Sequence, residues 1–456
     1  MATYYVYRSI FIAQLSIIFG FTCFSWSSPM LPKLSQIEYD NPLGRVISST
    51  ENSLLASIAI FGLCIGSICY GLVSTLFGRK TLLISTALPV LIFNIVMAFA
   101  KTIWLIYICR FLTGFGCGGA ITILTIYMGE VADANSRGAF GASMTMAMNI
   151  GMSISYILGP YISFFTFHIT LSLLPAIYIP LMCLYVPESP SYLIKKDYEA
   201  AKYILRKLRG SNYDISILNS LKEESNQNSD SAMMVVFKSP GLRKAFIASL
   251  GASVCMQLTG ISIISTYAQK IFTDAGGTIP PELCPIFMSI AQFFAISLSF
   301  FVTSDKYPRK SLLMFGHLVI AVIETPLAIY FLIKLKGFDV QAITWTPVTC
   351  LIIYVIVYYA FIVPTNVTLI GELFPTTVKG KVISWIVVFH WSGVVLTTFN
   401  FNNLIYVFDI GGLFCIFAVC GVVSAIFIKC YLIETKGKTL QQIQTELNPI
   451  EKAIII

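Results

Sequence analysis

Apolar residues along this chain run in long unbroken stretches, separated by short polar segments. About 20 apolar residues of helix cross a hydrocarbon layer of about 30 Å. Twelve stretches meet that length: 9–28, 54–76, 82–100, 103–128, 140–162 and 168–186, then 246–272, 284–303, 312–333, 343–370, 382–406 and 412–433. The runs are continuous, unlike the alternating segments of about ten residues in a membrane β-barrel, so helices are predicted. Several runs carry Gly or Pro, which membrane helices tolerate where neighbours satisfy the freed backbone groups. The first run, Ser9–Ser28, is longer than the apolar region of a signal peptide, and no small-residue cleavage site follows it; it reads as a retained first span.

The polar stretch 195–244 parts six spans from six. The pattern divides the chain into an N-terminal six-helix half (1–194), a linker (195–244), a C-terminal six-helix half (245–434) and a tail (435–456). Within the linker, 199–208 has the spacing of a short amphipathic helix ending at Gly210. A weaker helical stretch covers 214–224, and 225–231 reads as a flexible connector.

Composition sharpens this picture. The 456 residues are 56% hydrophobic and only 11% charged, which excludes an ordinary soluble domain and a disordered chain. Of 30 Lys and Arg, only Lys33, Arg45, Lys101, Arg110, Lys270, Lys334 and Lys336 fall at or beyond the outer ends of spans when both termini are placed in the cytoplasm. The net charge of +8 is therefore a topological signal, and no nucleic-acid partner is expected. The 12 cysteines lie almost all within spans, where they act as small hydrophobes, and no C-x-x-C or zinc spacing occurs. No metal, cofactor or enzymatic constellation is expected. The partner that composition implies is the lipid bilayer, and the chain is read as a monomer.

Charged motifs recur in register between the halves. Arg79-Lys80 pairs with Arg309-Lys310, Glu130 with Glu372, and Glu188 with Glu434, at offsets of 230, 242 and 246 residues. Arg137 and Lys379 follow Glu130 and Glu372 at equal distance, and Asp305 precedes Arg309. Two six-helix halves related by a pseudo-two-fold axis are the architecture of the major facilitator fold, an all-α membrane protein of twelve transmembrane helices. Charges of both signs at one depth must be paired when desolvated. Arg79, Glu130, Arg137, Glu188, Asp305, Arg309, Glu372, Lys379 and Glu434 are thus candidate gating residues, expected to include pairs that bridge the halves. The plainer alternative is that they mark loops.

These motifs resemble the sugar porter family of major facilitators. The resemblance rests on Gly71-x-x-x-Thr75-x-x-Gly78-Arg79-Lys80, Arg110-x-x-x-Gly114-x-Gly116-x-Gly118, Tyr127-x-x-Glu130-Val131-Ala132 with Arg137-Gly138, and Pro187-Glu188-Ser189-Pro190. In the second half it rests on Gln257-Leu258-Thr259-Gly260-Ile261, Glu372-Leu373-Phe374-Pro375, Trp391 and Glu434-Thr435-Lys436-Gly437-Lys438-Thr439-Leu440. Within the family the chain resembles insect facilitative trehalose and sugar transporters, through Trp26-Ser27-Ser28-Pro29-x-x-Pro32, Asn149-x-Gly151 and Val378-Lys379-Gly380. The resemblance implies passive carriage of a sugar. It also exposes departures: Thr75 stands for the family's Asp, Pro308 for its Gly, Met256 for the first Gln of its pair, Ser262 for its Asn, Val367 for its Trp and His390 for the Asn before Trp391. The usual hexose site is therefore not carried over whole.

A sugar site needs amide or hydroxyl groups for the hydroxyls and an aromatic platform for the ring face. Gln257, Thr259 and Ser262 in the seventh span supply the first, and Trp391 with His390 supplies the second. Residues 257 and 262 are about 140° apart on a regular helix, so they share a face only if the helix breaks, and Gly260 sits where a break would serve. Thr145 and Asn149 are one turn apart on one face of the fifth span, a spacing that also suits helix packing. His390 has the alternative of a satisfied buried imidazole. Ser27 stands where the family's proton symporters carry Asp, which favours uniport. Glu324, mid-way along the ninth span, is read as a protonated acid hydrogen-bonded to a neighbouring helix and not as a coupling residue. A non-transporting sugar sensor and a proton-coupled sugar or polyol transporter are the alternative functions.

Overall fold

The computed structural model describes residues 4–37, 41–74, 76–132, 137–194, 196–209, 236–277, 279–302, 307–374, 376–438 and 440–447. Thr75, Asp305 and the linker stretches 214–224 and 225–231 lie outside the described residues, as do the side chains of Arg137 and Lys379. The chain separates into two compact units, Met1–Ser229 and Asp230–Ile456.

Among its described residues the first unit has six helical spans. The first is Tyr4–Ser25, continued past Trp26 by Ser27–Leu34; then come Ser49–Val73, Arg79–Ala98, Ile103–Val131, Arg137–Leu158 and Phe164–Tyr185. Starts are fixed by side-chain caps. Ser48 and Glu51 form a reciprocal capping box, with Glu51 N donating to Ser48 Oγ at 3.2 Å and Ser48 N to Glu51 Oε2 at 2.8 Å. Ser163 accepts from Thr166 N at 3.1 Å ahead of the sixth span.

Small residues bring the second and fourth spans together. A Cβ at Gly62 or Gly66 would strike the backbone of Phe111 and Phe115, and one at Gly114 or Gly118 would strike the backbone of Ala59 and Leu63. The two Gly-x-x-x-Gly sets interlock, which is how membrane helices gain packing energy without a hydrophobic drive between them. After the sixth span, Tyr198–Arg209 forms the amphipathic helix that the spacing predicts, with Ala201, Leu205 and Leu208 buried. It packs against the first span and the short helix Pro190–Leu193.

The second unit also has six spans, two of them irregular. The seventh is in three pieces: Pro240–Leu258, Ile261–Thr266 and Ala268–Ala275. Its first piece begins inside the stretch read as linker, because Ser239 caps Leu242 N and Pro240 suits the first helical turn. The eighth is Leu283–Val302 and the ninth Arg309–Leu335. The tenth runs from Thr346–Val357 through a π turn at Tyr358–Ile362 into Val363–Leu373. Pro364 lacks the N–H that Ala360 would otherwise receive, and the π turn absorbs the mismatch. The eleventh and twelfth spans are drawn as one helix, Thr376–Tyr431, but Asp409 interrupts it at φ 57°, so two spans meet there. A last short helix, Leu440–Leu447, buries Ile443 and Leu447.

Eight helical segments are long and apolar enough by themselves to cross a bilayer, and one of them, Val382–Tyr431, holds two spans. The fifth span, the broken seventh and the eighth complete twelve among the described residues.

Candidate sugar site and charge clusters

In the second unit, Gly260 adopts φ +77°, the left-handed region that glycine enters without a Cβ penalty. The turn restarts the helix at Ile261 and swings Ser262 back toward Gln257. Ser262 Oγ donates to Gln257 Oε1 at 2.5 Å. The Gln257 amide nitrogen lies 3.0 Å from His390 Nε2 and 3.3 Å from His390 Nδ1, and it donates to the unprotonated ring nitrogen. Gly393, one turn beyond His390, leaves room for the amide, since a Cβ there would stand 3.3 Å from Gln257 Cγ. Trp391 meets the His390 ring edge-on, with centroids 5.7 Å apart. The chain thus assembles an amide, a hydroxyl, an imidazole and an indole around one break.

Thr259 stands apart from this group. Its hydroxyl donates to Met256 O at 2.8 Å, and the Tyr354 hydroxyl donates to Thr259 O at 2.8 Å while lying 3.0 Å from Thr259 Oγ1. Thr259 is fully buried in that contact. Tyr354 was not singled out by sequence; a tyrosine in an apolar run carries no motif, and only the carbonyl freed by the break gives its hydroxyl a purpose.

In the first unit, Thr145 donates to Gly141 O at 3.3 Å along its own helix. Asn149 is buried, and among the described residues neither of its amide atoms has a hydrogen-bond partner. A buried primary amide without partners is costly and so is available to a ligand or to water.

A second constellation in this unit centres on Arg110, which the topology count treats as an outer-end charge. It is buried against the Trp26 ring, 4.4 Å from guanidinium carbon to centroid, and donates to Ser27 Oγ at 3.1 Å and to the Cys23 carbonyl. Trp26 Nε1 donates to His168 Nε2 at 3.0 Å. Asn94 spends its amide hydrogens on Val90 O, so its carbonyl accepts from His168 Nδ1 at 3.2 Å. His168 is thereby fixed as a neutral imidazole with its proton on Nδ1.

The charged motifs close within each unit in matching ways. In the first, Arg79 Nε and Nη2 donate to both Glu130 oxygens at 2.8–3.2 Å, and Ser189 Oγ donates to Glu130. Glu188 accepts from Lys80 N at 3.0 Å, at the start of the third span, where the helix dipole favours an anion. In the second, Arg309 lies 3.4 Å from Glu372, Thr435 Oγ1 donates to Glu372 at 2.6 Å, and Glu434 accepts from Arg309 N at 2.9 Å and Lys310 N at 3.0 Å. Each of these pairs joins residues of the same unit, where the sequence reading looked for pairs bridging the halves. Ser189 and Thr435 are the members that it missed. The signal was present: a hydroxyl residue directly follows Glu188 in the first half and Glu434 in the second. The Pro308 departure is conformationally silent, because Gly78 and Pro308 share φ −63°.

Twelve membrane helices in two six-helix units, with duplicated charge clusters and a polar break in the seventh span, define a membrane carrier of the major facilitator fold. The chain belongs to the sugar (and other) transporter family, whose model matches residues 8–447. It is 28% identical over 453 residues to a facilitated trehalose transporter Tret1-2 homolog of Drosophila sechellia, covering 97% of this chain and 90% of that one. It is 29% identical over 452 residues to the facilitated trehalose transporter Tret1 of Polypedilum vanderplanki, covering 97% and 88%. Among solved structures, the inward-open form of the xylose transporter XylE from E. coli superposes with a TM-score of 0.79 at 20% identity, over 97% of this chain and 99% of the other.

Proposed function

We propose that this protein carries a sugar, trehalose or a hexose, passively across the plasma membrane by alternating access between its two halves, with both termini in the cytoplasm. The observation that carries this reading is the hydrogen-bonded set Gln257, Ser262 and His390 beside Trp391 at the Gly260 break. A sugar hydroxyl can replace the Ser262 and His390 contacts of Gln257 one for one, and the indole offers an apolar face to the ring. Thr145 and Asn149 are further candidate contacts, and the unpartnered Asn149 amide is the stronger of the two. Membership in a sugar-transporter family and the names of the Tret1 relatives support the substrate class. The concentration of Lys and Arg in the linker and tail supports the orientation.

The duplicated clusters act as gating residues in this reading. Arg79, Glu130, Glu188 and Ser189, like Arg309, Glu372, Glu434 and Thr435, tie three span ends into one rigid body, so each half moves as a unit. Arg137, Lys379 and Asp305 belong to the same motifs.

Uptake of radiolabelled trehalose, glucose, fructose and polyols into liposomes carrying the purified protein tests the proposal. Saturable uptake of trehalose or a hexose is expected. Gln257→Ala is expected to weaken it by about ten- to hundredfold, the cost of stranding buried polar groups, while Thr145→Ala leaves it within about threefold. Sugar binding without flux would contradict the carrier reading, and an unaffected Gln257→Ala would contradict the site.

A further inference from the structure

Two sets of ionisable residues lie outside the motifs described above. Glu324, mid-way along the ninth span, is buried, and among the described residues neither carboxylate oxygen has a hydrogen-bond partner. The hydrogen bond to a neighbouring helix that the sequence reading expects of it is therefore not formed. The other set is cationic and lies where the first span begins and the sixth ends. Arg8 reaches from the first span to the end of the sixth: its guanidinium carbon is 5.4 Å from the Tyr185 ring centroid, and Nη2 donates to the Tyr185 carbonyl at 3.2 Å. The same carbon is 5.0 Å from the Tyr5 ring centroid. Lys207, from the amphipathic helix Tyr198–Arg209, places Nζ 5.0 Å from that same Tyr5 centroid and 6.0 Å from that of Tyr203.

Sharing one ring holds the two cations within about 10 Å of each other, comparable with the Debye length in saline solution, so they repel. Among the described residues neither has an ion-pair partner, and the buried Arg8 Nε has no hydrogen-bond partner. The acids of the amphipathic helix lie at its start, where Asp197 Oδ1 accepts from Ala200 N at 3.0 Å, and Glu199 is more than two turns before Lys207. While Ala201, Leu205 and Leu208 face the protein, Tyr203, Arg206 and Lys207 face outward, so a third cation adjoins the pair. The cluster is thus short of an anion. Tyrosines at span ends sit at headgroup level, and the Tyr5 and Tyr185 rings hold the cations there. Phe11, one turn further into the first span on the Arg8 face, is 53% exposed, so apolar surface continues from the cations into the hydrocarbon layer. A soluble anion would use the charge alone, whereas a phospholipid uses both. We propose that Arg8, Arg206 and Lys207 around the Tyr5 ring form a binding site for the headgroup of an anionic phospholipid, with Phe11 along its acyl chain. The orientation proposed above makes this a lipid of the cytoplasmic leaflet. The guanidinium and ammonium groups take the phosphate by charge-assisted hydrogen bonds, and the bound lipid ties the ends of the first and sixth spans to the amphipathic helix.

The test uses the full chain purified in neutral detergent and titrated with phosphatidylserine, phosphatidylcholine or inorganic phosphate. Retained lipid is read by native mass spectrometry and stabilisation by thermal unfolding. Phosphatidylserine is expected to bind and to raise the unfolding midpoint, with phosphatidylcholine about tenfold weaker or more and inorganic phosphate without effect. Arg8→Gln and Lys207→Gln are each expected to weaken phosphatidylserine binding by about fivefold, and Lys207→Arg to retain it. Lys244→Gln removes one exposed charge near the start of the seventh span and serves as the control for general attraction; it is expected to leave binding within about twofold. Lys207 is exposed, so its replacement tests the site even if Arg8→Gln fails to fold. Equal binding of the two lipids, an equal loss in Lys244→Gln and Lys207→Gln, or stabilisation by inorganic phosphate alone overturns the proposal. No sugar enters these measurements, so their failure is distinct from a failure of the carrier reading.

Discussion

Charged residues near a membrane are informative when their geometry is compared, and here the Arg–Glu pairs of the two duplicated clusters differ. Arg79 and Glu130 are 12% and 17% exposed and share three contacts of 2.8–3.2 Å. Arg309 and Glu372 are 6% and 32% exposed and meet at 3.4 Å. A pair that is mostly desolvated and multiply bonded loses more when broken than one open to solvent. Glu130→Gln is therefore expected to destabilise by about 2 kcal/mol or more, and Glu372→Gln by about 1 kcal/mol or less, read as thermal unfolding of the purified protein. The reverse ranking would mean that the second cluster bears more of the structure than its geometry shows. Most of these residues were legible in the sequence because charge in an apolar chain is conspicuous. The neutral partners were not: Ser189, Thr435 and Tyr354 have roles that appear only once an acid or a freed carbonyl is placed beside them. Thr259 shows the same limit from the other side, since sequence put it among the sugar ligands and its hydroxyl faces Met256 and Tyr354.

Among the helices, the seventh span holds the candidate chemistry, and its irregularity is the reason. Residues 257 and 262 meet only because Gly260 takes a positive φ. An added Cβ there would be strained by the left-handed backbone and would run into the Phe417 ring. Gly260→Ala is expected to destabilise the fold by about 1–3 kcal/mol and to weaken sugar uptake together with it. Normal stability and normal uptake in that variant would show that the turn is not needed. The glycine makes this break readable from sequence. The three-piece course of the span and the start at Pro240 are less so, because capping by Ser239 competes with a polar stretch that reads as linker. In the tenth span, Pro364 signals a disturbance, but proline alone does not say that a π turn upstream absorbs it.

For the whole molecule, the internal repeat was the most legible feature. Offsets of 230, 242 and 246 residues between matching charged motifs become two units whose clusters are built alike, down to a hydroxyl on Glu130 or Glu372 and a further acid, Glu188 or Glu434, on a helix start. The long apolar runs gave the span count because a bilayer demands them, and their ends moved by only a few residues where caps decide the boundary. In the proposed reading this two-unit carrier moves sugar passively. The most direct test is the end point of sugar uptake in liposomes, with and without an imposed pH gradient. The predicted result is that internal sugar rises to the external concentration and stops there in both cases. Accumulation above the external concentration when the gradient is imposed would contradict it.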